Sequence, residues 1–117
     1  MKYTVTLKKN YEFRRLYSKG TSSATPCLAF YCRKTRNPNN RIGFTVSNKV
    51  GNAVTRNRIR RRLREIYRLH ECEFQSGYDM VVVARMRASG ADYHRLERDF
   101  LRSADRLGLR KSEVESE

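Results

Sequence analysis

Acidic side chains are scarce in the first 68 residues of this sequence, which hold two of them against eighteen lysines and arginines. So few acids cannot neutralise the cations from within the chain, and the deficit indicates a polyanionic partner, either nucleic acid or an anionic membrane surface. Residues 69–117 differ, since they carry eight basic and ten acidic side chains. The net charge of +14 over 117 residues is therefore concentrated in the first part of a chain long enough for one domain.

Cysteines and long apolar runs are also scarce. The three cysteines, Cys27, Cys32 and Cys72, are odd in number and irregular in spacing, a pattern that favours reduced thiols over a disulfide framework or a zinc site. The N-terminus has no apolar run of signal-peptide length, and no stretch approaches the roughly 20 apolar residues that span a bilayer. These absences predict a soluble, cytoplasmic protein without a membrane partner.

The residues that protein catalysts usually combine are missing as well. The only histidines are His70 and His94, no acids surround them at metal-ligand spacing, and no glycine-rich phosphate loop is present. We therefore expect no catalytic residue and no bound cofactor in this chain, and the sequence assigns no metal-binding residue.

The first 20 residues contain one helix-like segment. Phe13, Leu16 and Tyr17 recur at helical spacing, which predicts a helix with these three side chains on one face. Asn10 is the expected N-cap of this helix, and Gly20 is its expected end.

Two strand-like segments follow the first helix. Residues 26–34 and 41–48 both show alternating side-chain patterns, and the turn-rich residues 35–40 separate them. The alternation places Leu28 and Phe30 on one side of the first strand. We expect these two strands to pair with each other as a hairpin.

The segment from Gly51 to Arg68 holds seven arginines and a single acid, Glu65. A helix is expected to begin near Asn52, with one apolar stripe and a basic outer face. The residues of the stripe are Ile59, Leu63, Ile66 and Tyr67.

A third strand and a closing helix complete the predicted order α-β-β-α-β-α. Residues 77–86 form a short apolar run that predicts a buried strand. Residues 92–107 predict an amphipathic helix with Asp92 as N-cap and Gly108 as its end. The fold class is therefore α+β, with a sheet packed against helices. If the second helix is a crossover, the strands on either side of it lie parallel.

The arginine segment favours RNA as the polyanion. Arginine bonds phosphate bidentately and stacks on bases better than lysine does, and this chain has 19 arginines against 7 lysines. A charge run is more often a solvated helix face, but such faces alternate in sign and this one does not. Like charges four residues apart destabilise a helix, so a polyanion would convert that cost into binding.

Three aromatic residues suggest a second RNA-binding feature. Phe13 and Tyr17 share a face of the first helix, and Tyr31 lies opposite the apolar side of its strand. If these faces meet, they form a shallow apolar cleft with basic walls, on which unpaired bases can stack for about 1–3 kcal/mol per base. The alternative is that the rings, Phe13 above all, are part of the core.

The run "GFTVSNKVGNAVTRNRIRRRLREIYR" resembles the signature of the protein subunit of bacterial ribonuclease P, with the core triplet Arg56-Asn57-Arg58. The opening "LKKNYEFRRLYSKG" and the strand "VVVAR" are also similar to that family, so the resemblance covers about residues 7–107. It implies a left-handed crossover around the arginine helix, a hand that no sequence rule predicts.

The resemblance also implies function. Ribonuclease P removes the 5′ leader of precursor tRNA, its RNA subunit carries out the Mg²⁺-dependent hydrolysis, and its protein binds that RNA and the leader. The positions that match the contact with the catalytic RNA are Lys49, Arg56, Asn57, Arg58, Arg60, Arg61 and Arg64. The positions that match the leader cleft are Phe13, Tyr17 and Tyr31. Asn48 and Arg62 depart from the family pattern, which often has a lysine and a more apolar residue there.

The resemblance places the ribonuclease P protein domain in residues 1–110 and leaves residues 111–117 as an acidic, disordered tail. Three other functions remain open at this point. They are a structural RNA-binding protein such as a ribosomal protein, a metal-dependent nuclease that acts alone, and a basic amphipathic helix for anionic membranes.

Overall fold

The computed structural model describes residues 4–111, which form a five-stranded mixed sheet with helices on both faces. The strands are β1 (Thr4–Thr6), β2 (Thr21–Ala24), β3 (Leu28–Lys34), β4 (Asn40–Val46) and β5 (Tyr78–Ala84). The helices are α1 (Asn10–Lys19), α2 (Ala53–His70) and α3 (Tyr93–Arg106). The predicted α+β class is confirmed. Residues 112–117, most of the expected tail, lie outside the described residues, and the boundary at residue 110 stays a prediction.

The predicted start of α2 near Asn52 and the predicted cap of α3 at Asp92 are both confirmed. Asn52 caps α2 by accepting the Thr55 N–H, and Asp92 caps α3 by accepting the Arg95 N–H. The expected cap of α1 was wrong: Lys9 holds the cap position, no side chain caps the helix, and the helix includes Asn10.

The early start of α1 has its cause in a contact with a distant strand. Leu7 is buried, and its N–H donates to the Ile42 carbonyl on β4, so only Lys8 and Lys9 remain for the chain to turn into the helix. The predicted end is confirmed, since α1 stops at Gly20, whose N–H donates to the Leu16 carbonyl.

The strand order is β1-β4-β5-β3-β2, so the expected hairpin between β3 and β4 was wrong. Instead, β5 lies between them, antiparallel to β3 and parallel to β4. The reason is burial: Met80, Val81 and Val82 are all 0 % exposed, so β5 needs cover on both faces and a neighbour on each edge. A β3–β4 hairpin would have left this apolar strand at an edge of the sheet.

The connection from β4 through α2 to β5 joins two adjacent parallel strands, as a crossover helix predicts. Its left-handed sense, which the resemblance implies, stays a prediction.

The edge strands β1 and β2 were not predicted. They have only three and four residues, they are rich in Thr and Ser, and most of their side chains are exposed. β1 pairs in parallel with β4, and β2 pairs antiparallel with β3. Short, polar strands are typical of sheet edges, and their pairing depends on neighbours distant in sequence.

Two apolar cores lie on opposite faces of the sheet. The larger one lies between the sheet and the helices α2 and α3, and includes Phe30, Tyr67 and Phe100 with edge-to-face ring contacts. The smaller one, beneath α1, is built on Leu16 and Val81. Helix α1 therefore lies on one face of the sheet, and α2 and α3 lie on the other.

Candidate RNA-binding surfaces

Helix α2 packs against the larger core through an apolar stripe. The four buried residues of the helix are the four that the sequence predicted for the stripe: Ile59, Leu63, Ile66 and Tyr67. Because this stripe packs into the larger core, the rest of the helix circumference faces outward. Arg61, Arg64 and Arg68 are exposed there, and Arg56, Arg58, Arg60 and Arg62 are partly exposed.

Several outward side chains are oriented by neighbouring groups that do not neutralise them. Arg56 Nη1 donates to the Gly51 carbonyl at 2.8 Å, and Arg60 Nη1 donates to Asn57 Oδ1 at 3.0 Å. The Nε atom of Arg58 is buried and has no hydrogen-bond partner among the described residues. These contacts restrict the guanidinium groups while leaving their charge uncompensated, which lowers the entropy cost of binding an anion.

Both acids of the first 68 residues are paired with arginines. Glu65 accepts from Arg68 at 2.5 and 3.0 Å, and these hydrogen bonds lower the pKa of Glu65. Glu12 forms an ion pair with Arg41 on β4. Among residues 4–68, no acid therefore faces the arginines from Arg56 to Arg64.

Lys49 extends the basic face beyond the helix. It lies on a short 3₁₀ turn, Asn48–Val50, between β4 and α2, and its side chain is exposed while Val50 anchors the turn in the core. The two departures from the family pattern differ in exposure: Asn48 is exposed and Arg62 is partly buried.

The three predicted aromatic residues come together on the opposite face of the sheet, beside α1. The rings of Tyr17 and Tyr31 meet edge to face with centroids 4.9 Å apart. Phe13 and Tyr31 both pack against the smaller core. Tyr17 is 42 % exposed, whereas Phe13 and Tyr31 are partly buried. The cleft therefore has a partly buried floor and one open ring, and Phe13 has a packing role in addition to any binding role.

Two residues that sequence reasoning missed shape this cleft. A Cβ atom on Gly43 would lie 2.5 Å from Phe13 Cε1, so only glycine leaves room for the ring against β4. Arg41 donates to both carboxylate oxygens of Asp79, at 2.8 and 2.7 Å, and forms an ion pair with Glu12 on α1. Hydrogen bonds to Asp79 raise the pKa of Arg41, and the network ties α1 to the sheet. No sequence spacing could have indicated it, because the partners come from three distant segments.

Among the described residues, no three His, Cys, Asp or Glu side chains group so that they could hold a metal ion. His70 is bonded to Glu73 at 2.7 Å and to Glu97 at 3.1 Å, and His94 is exposed on α3. Within residues 4–111, no helix is long and apolar enough to cross a membrane.

Comparison with known proteins identifies the family. The family model described as Ribonuclease P matches residues 1–108. The chain belongs to the ribonuclease P protein family. It is thus a protein component of ribonuclease P, the enzyme that processes the 5′ ends of tRNA.

Relatives and solved structures agree with this assignment. The ribonuclease P protein component of Natranaerobius thermophilus is 45 % identical over 114 residues, which cover 97 % of this chain and 99 % of that protein. The RNase P protein of Staphylococcus aureus superposes with a TM-score of 0.84 at 30 % identity, covering 91 % of this chain and 97 % of the other. The RNase P protein from Thermotoga maritima gives 0.76 at 27 % identity, covering 83 % and 92 %.

Proposed function

We propose that this chain binds the RNA subunit of ribonuclease P through α2 and the 5′ leader of precursor tRNA through the aromatic cleft. The observation that carries the proposal is the arginine face of α2, whose cations between Arg56 and Arg64 have no acidic partner among residues 4–111. Repulsion between these arginines destabilises the free helix, a bound polyanion relieves it, and arginine is the cation best suited to RNA phosphates.

The proposed contacts with the catalytic RNA involve one continuous surface. It runs from the 3₁₀ turn before α2 along the first three turns of the helix. Its residues are Lys49, Arg56, Asn57, Arg58, Arg60, Arg61 and Arg64.

The proposed leader contacts lie on the other face of the sheet. Tyr17 offers an open ring, Tyr31 supports it from β3, and Phe13 closes the floor of the cleft. Stacking on such rings tolerates any base, which suits a leader of variable sequence. The two surfaces let one small domain contact the catalytic RNA and the substrate at the same time.

The proposed division of labour leaves hydrolysis to the RNA. The Mg²⁺ ions that the holoenzyme is expected to need do not fit a donor set on this chain, since the described residues contain no group of three suitable ligands. We propose that the protein increases substrate affinity and acts in the cytoplasm, where its three free thiols stay reduced.

The deciding experiment is reconstitution with a bacterial ribonuclease P RNA and a precursor tRNA that carries a leader. At limiting Mg²⁺, the protein should accelerate removal of the leader, and protein without RNA should cleave nothing. Binding to the RNA with no acceleration would indicate a structural RNA-binding protein. Cleavage by highly purified protein alone would indicate a metal-dependent nuclease, and either result would overturn the proposal.

A further inference from the structure

A cavity of about 760 Å³ opens between the end of β5 and the start of α3. Its walls come from the 3₁₀ turn Met86–Gly90, from the first turns of α3 and from Cys27, which precedes β3. Three arginines line it: Arg87, Arg95 and Arg98.

The carboxylates at this cavity are already engaged. Asp92 Oδ1 accepts the Arg95 N–H at 2.8 Å as the cap of α3. Asp99 is buried, accepts the Cys27 N–H at 3.4 Å and lies 3.4 Å from Arg95 Nε. Arg87 and Arg98 are exposed, and neither has an acidic partner among residues 4–111. The cavity therefore carries unbalanced positive charge.

Arg110, in the same third of the chain, shows the contrasting case of a cation that neighbouring acids neutralise. Arg110 bonds Asp105 at 2.7 and 2.8 Å and Glu73 at 2.6 Å, and these bonds raise its pKa. The charge count over residues 69–117 does not indicate a basic site, since that segment is slightly acidic as a whole.

The cavity is continuous with the basic surface of α2. Arg87 also lines a neighbouring groove of about 600 Å³ that contains Lys49 and Arg85. The 3₁₀ turn that carries Lys49 packs against the turn that carries Arg87. Since α3 lies on the same face of the sheet as α2, a strand bound along α2 can continue past Lys49 to the cavity, whereas the cleft beside α1 is on the other face.

We propose that this cavity binds backbone phosphates of the catalytic RNA as a second contact, held by the guanidinium groups of Arg87 and Arg98. The inference rests on the proposed function of α2. It extends the proposed RNA-binding surface of α2 to the 3₁₀ turn Met86–Gly90 and to α3. The helix N-terminus contributes little, because Asp92 already occupies it. The ligand is a phosphodiester group, whose oxygens accept hydrogen bonds from the planar guanidinium N–H groups.

The test measures the affinity of the full-length protein for ribonuclease P RNA over a range of salt concentrations. The variant Arg87→Ala/Arg98→Ala should lower the slope of log affinity against log salt by about 1.4–1.8, which corresponds to two lost phosphate contacts. The matched control is Arg102→Ala, an exposed arginine of α3 outside the cavity, which should leave the slope unchanged. Both cavity residues are exposed, so thermal unfolding should not change.

Each other outcome has a definite meaning. An unchanged slope for the cavity variant, with a reduced slope for Arg56→Ala/Arg58→Ala/Arg61→Ala, would overturn the second contact and leave the proposed function intact. Unchanged slopes for both would overturn both proposals. If only the affinity of the holoenzyme for precursor tRNA falls, the cavity binds the substrate and not the catalytic RNA. If the salt slope falls equally for the cavity variant and for Arg102→Ala, the effect reflects the net charge of the protein and not a site. Either result would overturn the assignment.

Discussion

Helices α2 and α3 pack against the same face of the sheet and start with the same kind of cap, yet their outer faces differ. Helix α2 carries seven arginines and one acid, whereas α3 carries four arginines and three acids. In α3 the charges can pair along the helix, as Arg95 and Asp99 do. In α2 only Glu65 and Arg68 form such a pair. Both helices are amphipathic, so the balance of charge on the outer face, and not amphipathicity, distinguishes α2 from α3.

The comparison has an energetic side as well. Arginines four residues apart on α2 repel each other and weaken an isolated helix by about 0.2–0.5 kcal/mol per pair. The helix persists because its buried stripe supplies the stability that the outer face lacks. The inner side of α2 thus supplies stability and the outer side is proposed to bind RNA, and substitutions on each side can test this division.

The largest expected effect is a loss of stability when a residue on the buried side of α2 is truncated. Leu63→Ala should lower the free energy of unfolding by about 2–5 kcal/mol, because Leu63 is fully buried and its loss leaves a cavity. The matched control is Leu69→Ala on the same helix, where the side chain is 52 % exposed and the loss should be small. Urea unfolding measures both, and equal losses would contradict the division between the two sides.

From the outer side, removing charge should affect RNA and not the fold. The variant Arg56→Ala/Arg58→Ala/Arg61→Ala should lower the salt slope of binding to the catalytic RNA by about 2–3, from three lost phosphate contacts. Arg102→Ala in α3 serves as control and should leave the slope as it is. A folded triple variant with the wild-type slope would remove the basis for assigning RNA binding to α2.

Extending the comparison to α1 gives a smaller effect on another ligand. Tyr17→Ala and Tyr31→Ala should each cost about 1–3 kcal/mol in precursor tRNA binding by the holoenzyme, because a stacking partner is lost. Mature tRNA, which lacks the leader, should bind with nearly unchanged affinity. The control is Tyr11→Ala, an exposed tyrosine of the same helix that makes no contact with Tyr31. Equal losses for both tRNAs would show that the cleft is only core.

The junction between α2 and α3 should make stability depend on pH. Burial by itself lowers the pKa of His70, but hydrogen bonds to Glu97 and Glu73 outweigh it and raise the pKa. A raised pKa stabilises the fold fully below the unfolded value of about 6.5, and this stabilisation is lost as the pH rises through the folded pKa. The advantage of the wild type over His70→Gln in urea unfolding should therefore be greater at about pH 5.5 than at about pH 8.5. A difference independent of pH would show that the carboxylates do not hold the proton.

The smallest effect is the most direct test of the comparison. Arg64→Glu places an acid between Arg60 and Arg68 on the exposed side of α2, as in α3, and should stabilise the protein by about 0.2–0.5 kcal/mol per new pair. The same change should weaken binding to the catalytic RNA, because a cation is replaced by an anion. Thermal unfolding and RNA titration should thus move in opposite directions. A variant that loses both stability and affinity would mean that Arg64 has a packing role.

Features confined to one segment could be read from the sequence. The stripe of α2 was predicted residue by residue, and so were the start of α2 near Asn52 and the cap of α3 at Asp92, because helix periodicity and helix termini depend on neighbours within a few positions. The arginine face, and with it the family, was also evident, because the charge imbalance lies in one continuous run. The cap of α1 is the informative exception, since a hydrogen bond from Leu7 to a distant strand moved its start.

Features that join distant segments were decided only by the tertiary structure. β5 took the centre of the sheet because it alone needed burial on both faces, and this separated β3 from β4. The same packing put α1 on one face of the sheet and α2 on the other, so the aromatic cleft and the basic helix lie on opposite faces. It also gathered Arg87 and Arg98 around one cavity inside a segment that is acidic on average. Such contacts depend on how all segments of the chain compete for burial. They therefore cannot be read from any single stretch of residues.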